Sequence, residues 1–266
     1  MKPTILAALL ALALVAPASA NDFVSTHPTP RVEYWQNRQT QIEAFIADPA
    51  KLKQVRLLFV GDSITDFFQL GDNPWVPGQR FGRTIWDESF NTPGSANYAF
   101  NIGISGDRTE HVLYRLQPKA EGGLGEIDSP ALDPDVIVLM IGINNSWAAE
   151  DPAADSIHEG ARAVLTALHR QKPRARIVLQ SLLPIVDAPK DRAIVQPVNA
   201  RLRALAQSPE FAGSTQFLDL YPAFVDEKGQ QIASYFNDGI HPSEAGYRVW
   251  RDRLLPFLAM LRKASH

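Results

Sequence analysis

Residues 136–141 read VIVLMI, an unbroken run of large apolar side chains that ends at Gly142. A strand with one face in water alternates apolar and polar residues, whereas a strand of a parallel sheet is covered on both faces and shows no alternation. This run therefore predicts a buried strand in a sheet that carries helices on both sides.

Shorter apolar runs and helical stripes alternate along the rest of the chain. Such an order is typical of an α/β fold with a parallel sheet, and no Pro/Gly-rich linker divides it, so we expect one domain over residues 21–266. Residues 71–95 resemble a long ordered loop with one helical turn. The other predicted strands are 55–60, 98–104, 177–183 and 217–220, and the predicted helices are 30–47, 107–116, 157–168, 194–205 and 244–261, the last one bent at Pro256.

The first twenty residues have the pattern of a secretory signal. Lys2 precedes a short apolar segment at 5–16, and an Ala-x-Ala sequence ends at Ala20. The apolar segment is too short to span a bilayer comfortably, which favours a cleavable signal over a membrane anchor. We therefore expect a periplasmic or secreted protein without a stable membrane anchor; an uncleaved anchor is the alternative.

Composition excludes several classes of function. The chain has 266 residues, a formal net charge of -3 and no cysteine. A charge so near neutral gives no electrostatic reason to expect a nucleic acid partner. Without cysteine there can be no disulfide, no thiol nucleophile and no zinc–thiolate site.

Small polar groups follow the predicted strands. In parallel sheets, functional groups gather outside the carboxyl ends of the strands. Ser63 follows the first strand, Gly106 the second and Asn144 the third, while Asp238 and His241 precede the last helix. These five residues should therefore share one edge of the sheet.

Together these groups could perform ester hydrolysis. A serine hydroxyl needs a base, and His241 is the natural candidate because histidine is the commonest general base in proteins. Asp238 could orient the ring. The backbone N–H groups of Ser63 and Gly106 and the amide of Asn144 could stabilise the oxyanion. Taken alone, Ser63 would be interpreted as a turn or cap residue.

Four blocks carry a family resemblance. GDSIT (61–65), NIGISGDRTEHVLYRL (101–116), IGINN (141–145) and DGIHPSEAGY (238–247) resemble, in order, the four blocks of SGNH hydrolases, also called GDSL esterases/lipases. Within that superfamily, the residues of these blocks are similar to those of the branch that holds the α-subunits of platelet-activating-factor acetylhydrolase and bacterial carbohydrate acetylesterases. Asn145 departs from the pattern, since many members have aspartate there.

The resemblance implies a three-layer α/β/α sandwich with a flavodoxin-like sheet of about five parallel strands. It assigns Ser63 as the nucleophile, His241 as its base, Asp238 as the partner of His241, and Gly106 and Asn144 as oxyanion donors. It further implies removal of short acyl groups, above all acetyl, from a carbohydrate or other small alcohol, with no metal and no cofactor. Lysophospholipase or thioesterase activity is the nearest alternative, and a homodimer is left open because relatives are sometimes dimeric.

Two other classes of function compete with the esterase. Asp62, Asp238 and His241 could hold a divalent ion in a metal-dependent phosphoesterase. A glycan-binding protein could also keep the scaffold without the catalysis.

Several further residues are better explained by structural roles. Asp62 and Asp66 are expected to hydrogen-bond the turn around Ser63, and Asp107 to cap the helix that follows it. Arg108 could contact substrate or pair with a carboxylate. Three histidines, His111, His158 and His169, are not near any strand end and are expected to lie on the surface or to be satisfied in the core. Of three tryptophans that could stack on a sugar, Trp75 and Trp86 are expected in the core, whereas Trp147 is the best placed beside the site.

Overall fold

The computed structural model describes residues 22–31, 35–148 and 150–263. Its sheet has five parallel strands in the order β2-β1-β3-β4-β5. They are β1 (Leu57–Gly61), β2 (Ala99–Asn101), β3 (Val136–Met140), β4 (Arg176–Gln180) and β5 (Thr215–Leu218). The expected α/β fold with five parallel strands is confirmed, while the predicted signal segment lies outside the described residues.

Helices cover both faces of this sheet. Every residue of β1 and β3 is buried, and burial of this kind needs a layer on each side. Within those layers α5, α6 and α8 pack together, and α4 packs against α9. The helices are α1 (Gln36–Ile46), α2 (Pro49–Leu52), α3 (Ser63–Asp66), α4 (Arg83–Ser89), α5 (Thr109–Leu116), α6 (Ala153–Gln171), α7 (Ala188–Lys190), α8 (Gln196–Ala206) and α9 (Glu244–Lys263).

The strand order positions the site. The chain leaves β1 for β2 on one side and later returns to β3 on the other. The loops that follow β2 and β3 therefore flank the carboxyl end of β1, which is where doubly wound sheets bind their ligands. Ser63 lies at this point, two residues beyond β1.

The N-terminal helix begins later than its sequence predicts. Residues 28–31 are not helical. The N–H of Thr29 donates to the carbonyl of Glu110, at 3.0 Å, and the Arg31 side chain reaches the loop after β2. These tertiary contacts hold Thr29 and Arg31 outside a helix, so the Pro30 start signal is overridden and α1 begins at Gln36.

Two other boundaries differ. Residues 71–95 contain α4, which buries Ile85 and Trp86, so this segment holds more helix than the single turn expected. The second strand ends early, at Asn101, because the Arg38 guanidinium donates to the carbonyl of Asn101 at 2.6 Å.

Helix α9 continues through Pro256. Of the helices in the described ranges, none has the length and apolar character to cross a bilayer.

Candidate active site

Ser63 lies in a tight turn between β1 and α3. The Asp62 carboxylate accepts the N–H of Ile64 at 3.0 Å and so caps the helix that begins with Ser63. Gly61 is required by close packing, since a Cβ there would lie 2.2 Å from Thr65 Oγ1 and 2.4 Å from the Met140 carbonyl oxygen. The turn therefore places the hydroxyl at the end of the central strand.

A chain of hydrogen bonds links Ser63 to the loop before α9. His241 Nε2 lies 2.8 Å from Ser63 Oγ, and His241 Nδ1 lies 2.6 Å from Asp238 Oδ2. An ionised carboxylate can only accept, so Asp238 selects the tautomer with the proton on Nδ1. The lone pair of Nε2 then faces the serine proton.

Asp238 is held as an ionised carboxylate. Its Oδ1 accepts the N–H groups of Ile240, at 3.0 Å, and His241, at 2.8 Å. Partial burial alone would raise the pKa of Asp238, but the hydrogen bonds from His241 and Ile240 outweigh it and lower this pKa to about 2. Gly239, with φ of +81°, allows the tight turn between Asp238 and His241.

Two of the three predicted oxyanion donors, Gly106 and Asn144, lie on the two flanking loops, and the third is the N–H of Ser63 itself. Gly106 has φ of +81°, and no acceptor in the described part of the chain contacts its N–H. The Asn144 amide donates one hydrogen to the carbonyl of Asp107 at 2.8 Å. This bond ties the β3 loop to the β2 loop, and the second amide hydrogen of Asn144 can point to a ligand.

Asn145 is explained by its neighbours. Its Oδ1 accepts the N–H of Thr109 at 3.0 Å, and its Nδ2 donates to the Glu110 carboxylate at 2.9 Å. The side chain is buried, so an aspartate here would place two carboxylates in contact. The amide thus fits this chain, and it anchors the start of α5.

Asp107 does not cap α5, contrary to the prediction. Its carboxylate instead accepts from Arg31, at 2.9 Å, and from Arg115, at 2.8 Å. The helix begins after Arg108, whose N–H donates to His111 Nδ1 at 3.0 Å. Asp107 is fully buried, and two guanidinium groups satisfy it better than a helix terminus would.

Buried charges support the Gly106 loop. Asp66 Oδ2 accepts the N–H of Ser105 at 3.1 Å, and Asp66 Oδ1 lies 2.9 Å from the Arg38 guanidinium. Arg115 bridges Asp107 to Glu126, with the second contact at 2.6 Å. The sequence reading missed Arg31, Arg38 and Arg115, because each pairs with residues that are distant along the chain or hidden in the core.

Of the other predicted structural roles, some are confirmed and others are wrong. Asp62 hydrogen-bonds the turn around Ser63, as predicted, whereas the Asp66 carboxylate accepts from the N–H of Ser105 in the loop after β2. Trp86 is buried, but Trp75 has 56% of its surface exposed and is not a core residue. Trp147 is also exposed, and the ammonium of Lys190 lies 3.6 Å from its ring centroid.

The model of the GDSL-like lipase/acylhydrolase family matches residues 59–249. The chain belongs to this family. This GDSL hydrolase is 32% identical to the platelet-activating factor acetylhydrolase IB subunit alpha1 of Pongo abelii over 221 residues, which cover 81% of each chain. It is therefore an ester hydrolase, as the sequence blocks predict.

Solved structures share the fold of this GDSL hydrolase. A GDSL-like lipase from Bacteroides thetaiotaomicron VPI-5482 matches with a TM-score of 0.59 and 21% identity, covering 86% of this chain and 98% of that one. An acetylxylan esterase from Geobacillus stearothermophilus matches with a TM-score of 0.51 and 23% identity, covering 76% and 93%. At these identities the similarity concerns the fold.

Proposed function

We propose that this GDSL hydrolase is an exported serine esterase that removes short acyl groups, chiefly acetyl, from carbohydrate alcohols. The hydrogen-bonded chain from Ser63 through His241 to Asp238 is the observation that carries the proposal. Export rests on the signal pattern of residues 1–20. The acetyl and carbohydrate preferences draw on what the similar acetylhydrolase and acetylxylan esterase are named for.

The first half of the reaction forms an acyl-enzyme. His241 Nε2 takes the hydroxyl proton while Ser63 Oγ bonds to the ester carbonyl carbon. The carbonyl oxygen becomes an oxyanion and accepts hydrogen bonds from the N–H groups of Ser63 and Gly106 and from the Asn144 amide. Collapse of this intermediate breaks the bond to the sugar oxygen, which leaves with the proton from His241.

The second half releases the acid. Water gives a proton to His241 and its oxygen attacks the acyl carbon. Collapse then returns the proton from His241 to Ser63 Oγ and frees the carboxylic acid. Throughout, Asp238 keeps the ring oriented and stabilises the imidazolium.

The metal-dependent alternative lacks a ligand set in the part of the chain that the structure describes. Among the described residues no three His, Asp or Glu side chains are grouped to hold a metal ion. Both ring nitrogens of His241 are engaged, by Ser63 and Asp238, and the carboxylate of Asp62 caps α3. These contacts favour nucleophilic catalysis by serine over a phosphoesterase.

The decisive experiment replaces the nucleophile. Ser63→Ala should lower kcat for p-nitrophenyl acetate by at least about ten-thousandfold, because the attacking atom is gone. Ser234→Ala removes an exposed hydroxyl and serves as the matched control. A fluorophosphonate probe should label Ser63 in the wild type, as located by peptide mass spectrometry. Full activity of Ser63→Ala, or labelling elsewhere, would reject the mechanism.

Acyl length separates the remaining alternatives. A short-chain esterase should turn over p-nitrophenyl acetate far faster than the palmitate ester. Comparable turnover of both esters would instead indicate the lysophospholipase-type reading.

A further inference from the structure

A cavity of about 570 Å³ opens beside the proposed catalytic groups. Its walls come from the start of α1, the chain that follows Ser63, the 71–80 loop and the end of the β2 loop. This volume suits a small ligand or one to two sugar rings. The lining includes Trp35, Asn37, Gln41, Phe67, Trp75 and Ser105.

Two residues of the lining, Phe67 and Ser105, are neighbours of the proposed catalytic groups. Phe67 lies four residues after Ser63, and its ring centroid is 5.0 Å from the His241 ring. Ser105 directly precedes Gly106. The cavity therefore shares its walls with residues that adjoin the imidazole of His241 and the Gly106 loop.

Trp75 forms an exposed aromatic face at the edge of this cavity. Its ring packs against Phe67, with 5.4 Å between centroids, and edge-on against Phe81, at 6.4 Å. The loop is held by Asn73, whose Oδ1 accepts the backbone N–H of Trp75 at 2.9 Å. A large aromatic ring fixed in place with 56% of its surface in water is typical of a binding surface.

The rest of the lining combines polar and charged side chains with three aliphatic ones, Leu70, Pro74 and Ile104. Asn37 and Gln41 contribute side-chain amides, and Arg38 and Asp66 form an ion pair at 2.9 Å. Amides exchange hydrogen bonds with hydroxyl groups, whereas a long acyl chain would need a continuous apolar wall. An aromatic platform facing amides matches a sugar ring, which has apolar C–H faces and hydroxyl edges.

We propose that this cavity is a glycan subsite, in which Trp75 stacks on a neutral sugar ring next to the acylated one. The inference rests on the proposed function, and it names an acetylated oligosaccharide as the substrate class. Trp75 acts as a binding residue and takes no part in the chemistry.

The test compares Trp75→Ala with Trp75→Phe on two substrates. For acetylated xylotetraose relative to p-nitrophenyl acetate, the ratio of kcat/KM should fall about tenfold in Trp75→Ala, mainly through KM, because only the longer substrate reaches the ring. Trp75→Phe should retain most of the ratio. Met260→Ala is the control, since it removes another large apolar side chain that is exposed, on α9 and outside the cavity, and we expect it to leave the ratio within about twofold.

A binding measurement separates this inference from the proposed function. Calorimetry with unacetylated xylotetraose needs no ester chemistry, so it can be done on Ser63→Ala with and without Trp75→Ala. Binding that is weakened about tenfold by Trp75→Ala supports the subsite even if acetylated xylotetraose is not hydrolysed. No binding to Ser63→Ala, no effect of Trp75→Ala, or a larger effect on palmitate than on tetraose turnover would overturn it.

Discussion

The two sides of the site are held by different chemistry. The loop with Gly106 is fixed by charged groups, because Ser105 and Asp107 bond to the side chains of Asp66, Arg31 and Arg115. The loop with His241 is held by neutral amides near the surface. Gln231 donates to the carbonyls of Pro184 and Gly239, at 2.7 and 2.9 Å, and Gln79 donates to the carbonyl of Asn237 at 3.0 Å.

This difference matches the work proposed for each side. Oxyanion donors stabilise developing charge best when they need not move during the reaction. Charged hydrogen bonds in a buried network provide that rigidity. The imidazole needs only one orienting group, and Asp238 supplies it although 53% of its side chain is exposed. The Gly106 side therefore depends on several charged groups, whereas the orientation of His241 depends on a single carboxylate.

The largest effect is expected when the carboxylate that orients His241 is removed. Asp238→Asn should lower kcat for p-nitrophenyl acetate by about ten-thousandfold, because an amide no longer selects the tautomer with the proton on Nδ1. Asp226→Asn, in the exposed turn at residues 226–229, is the matched control. Thermal unfolding of both variants would establish that the fold is kept. A loss smaller than tenfold would show that other groups orient His241.

A second prediction concerns the buried carboxyl group of Asp62, in the turn directly before Ser63. Burial raises the pKa of Asp62 to about 7, and its Oδ2 has no partner in the described part of the chain. An unfolded aspartate has a pKa of about 3.9. Between about pH 4 and 7 the folded protein therefore keeps a proton that the unfolded chain has lost, and the free energy of unfolding falls as pH rises.

Asp62→Asn should remove this pH dependence. The amide keeps an oxygen for the Ile64 N–H and carries no charge. The free energy of unfolding of the variant minus that of the wild type should therefore be greater at pH 8 than at pH 4, by on the order of 4 kcal/mol. Urea unfolding of both proteins at the two pH values gives this difference and cancels the other titrating groups. Equal pH slopes would contradict the assignment. The pKa of Asp238 is shifted in the opposite direction, so its stabilising contribution is lost only in acid, as pH falls through about 2.

The sequence was sufficient for the parallel sheet and for the convergence of Ser63, Gly106 and Asn144 at its edge. Burial on both faces leaves an unbroken apolar run, and strand ends carry their polar residues with them. Parallel topology then brings His241 to Ser63 across 178 positions. These features follow from local patterns combined with one topological rule.

The supporting shell could not be predicted in the same way. Arg31 meets Asp107 across 76 positions, and no local pattern marks either residue as a partner. Asp107 has the composition of a helix cap, and only the buried guanidinium groups explain why it serves another purpose. Trp75 was expected in the core because tryptophan is large and apolar, while its exposure depends on the tertiary position of the 71–80 loop.

The smallest effect is expected when Arg31, which contacts the Gly106 loop, is replaced. Its guanidinium donates to the Ser105 carbonyl at 2.7 Å and to Asp107 at 2.9 Å. A Cβ added to Gly106 would lie 2.9 Å from Arg31 Nη2. Arg31 thus covers the loop that holds the proposed oxyanion donor, and we expect it to position the Gly106 N–H.

Arg31→Ala should lower kcat for p-nitrophenyl acetate by about tenfold with little change in KM, because a slightly displaced donor binds the transition state less well than before. Added guanidinium at millimolar concentration should restore part of kcat, and Arg31→Lys should retain part of it, since one ammonium can reach either acceptor. Arg174→Ala, at an exposed ion pair with Asp133, controls for loss of charge. A purely structural role would lower the melting temperature and give no rescue, and unchanged kcat would mean that the neutral contacts of Asn144 suffice to hold the loop.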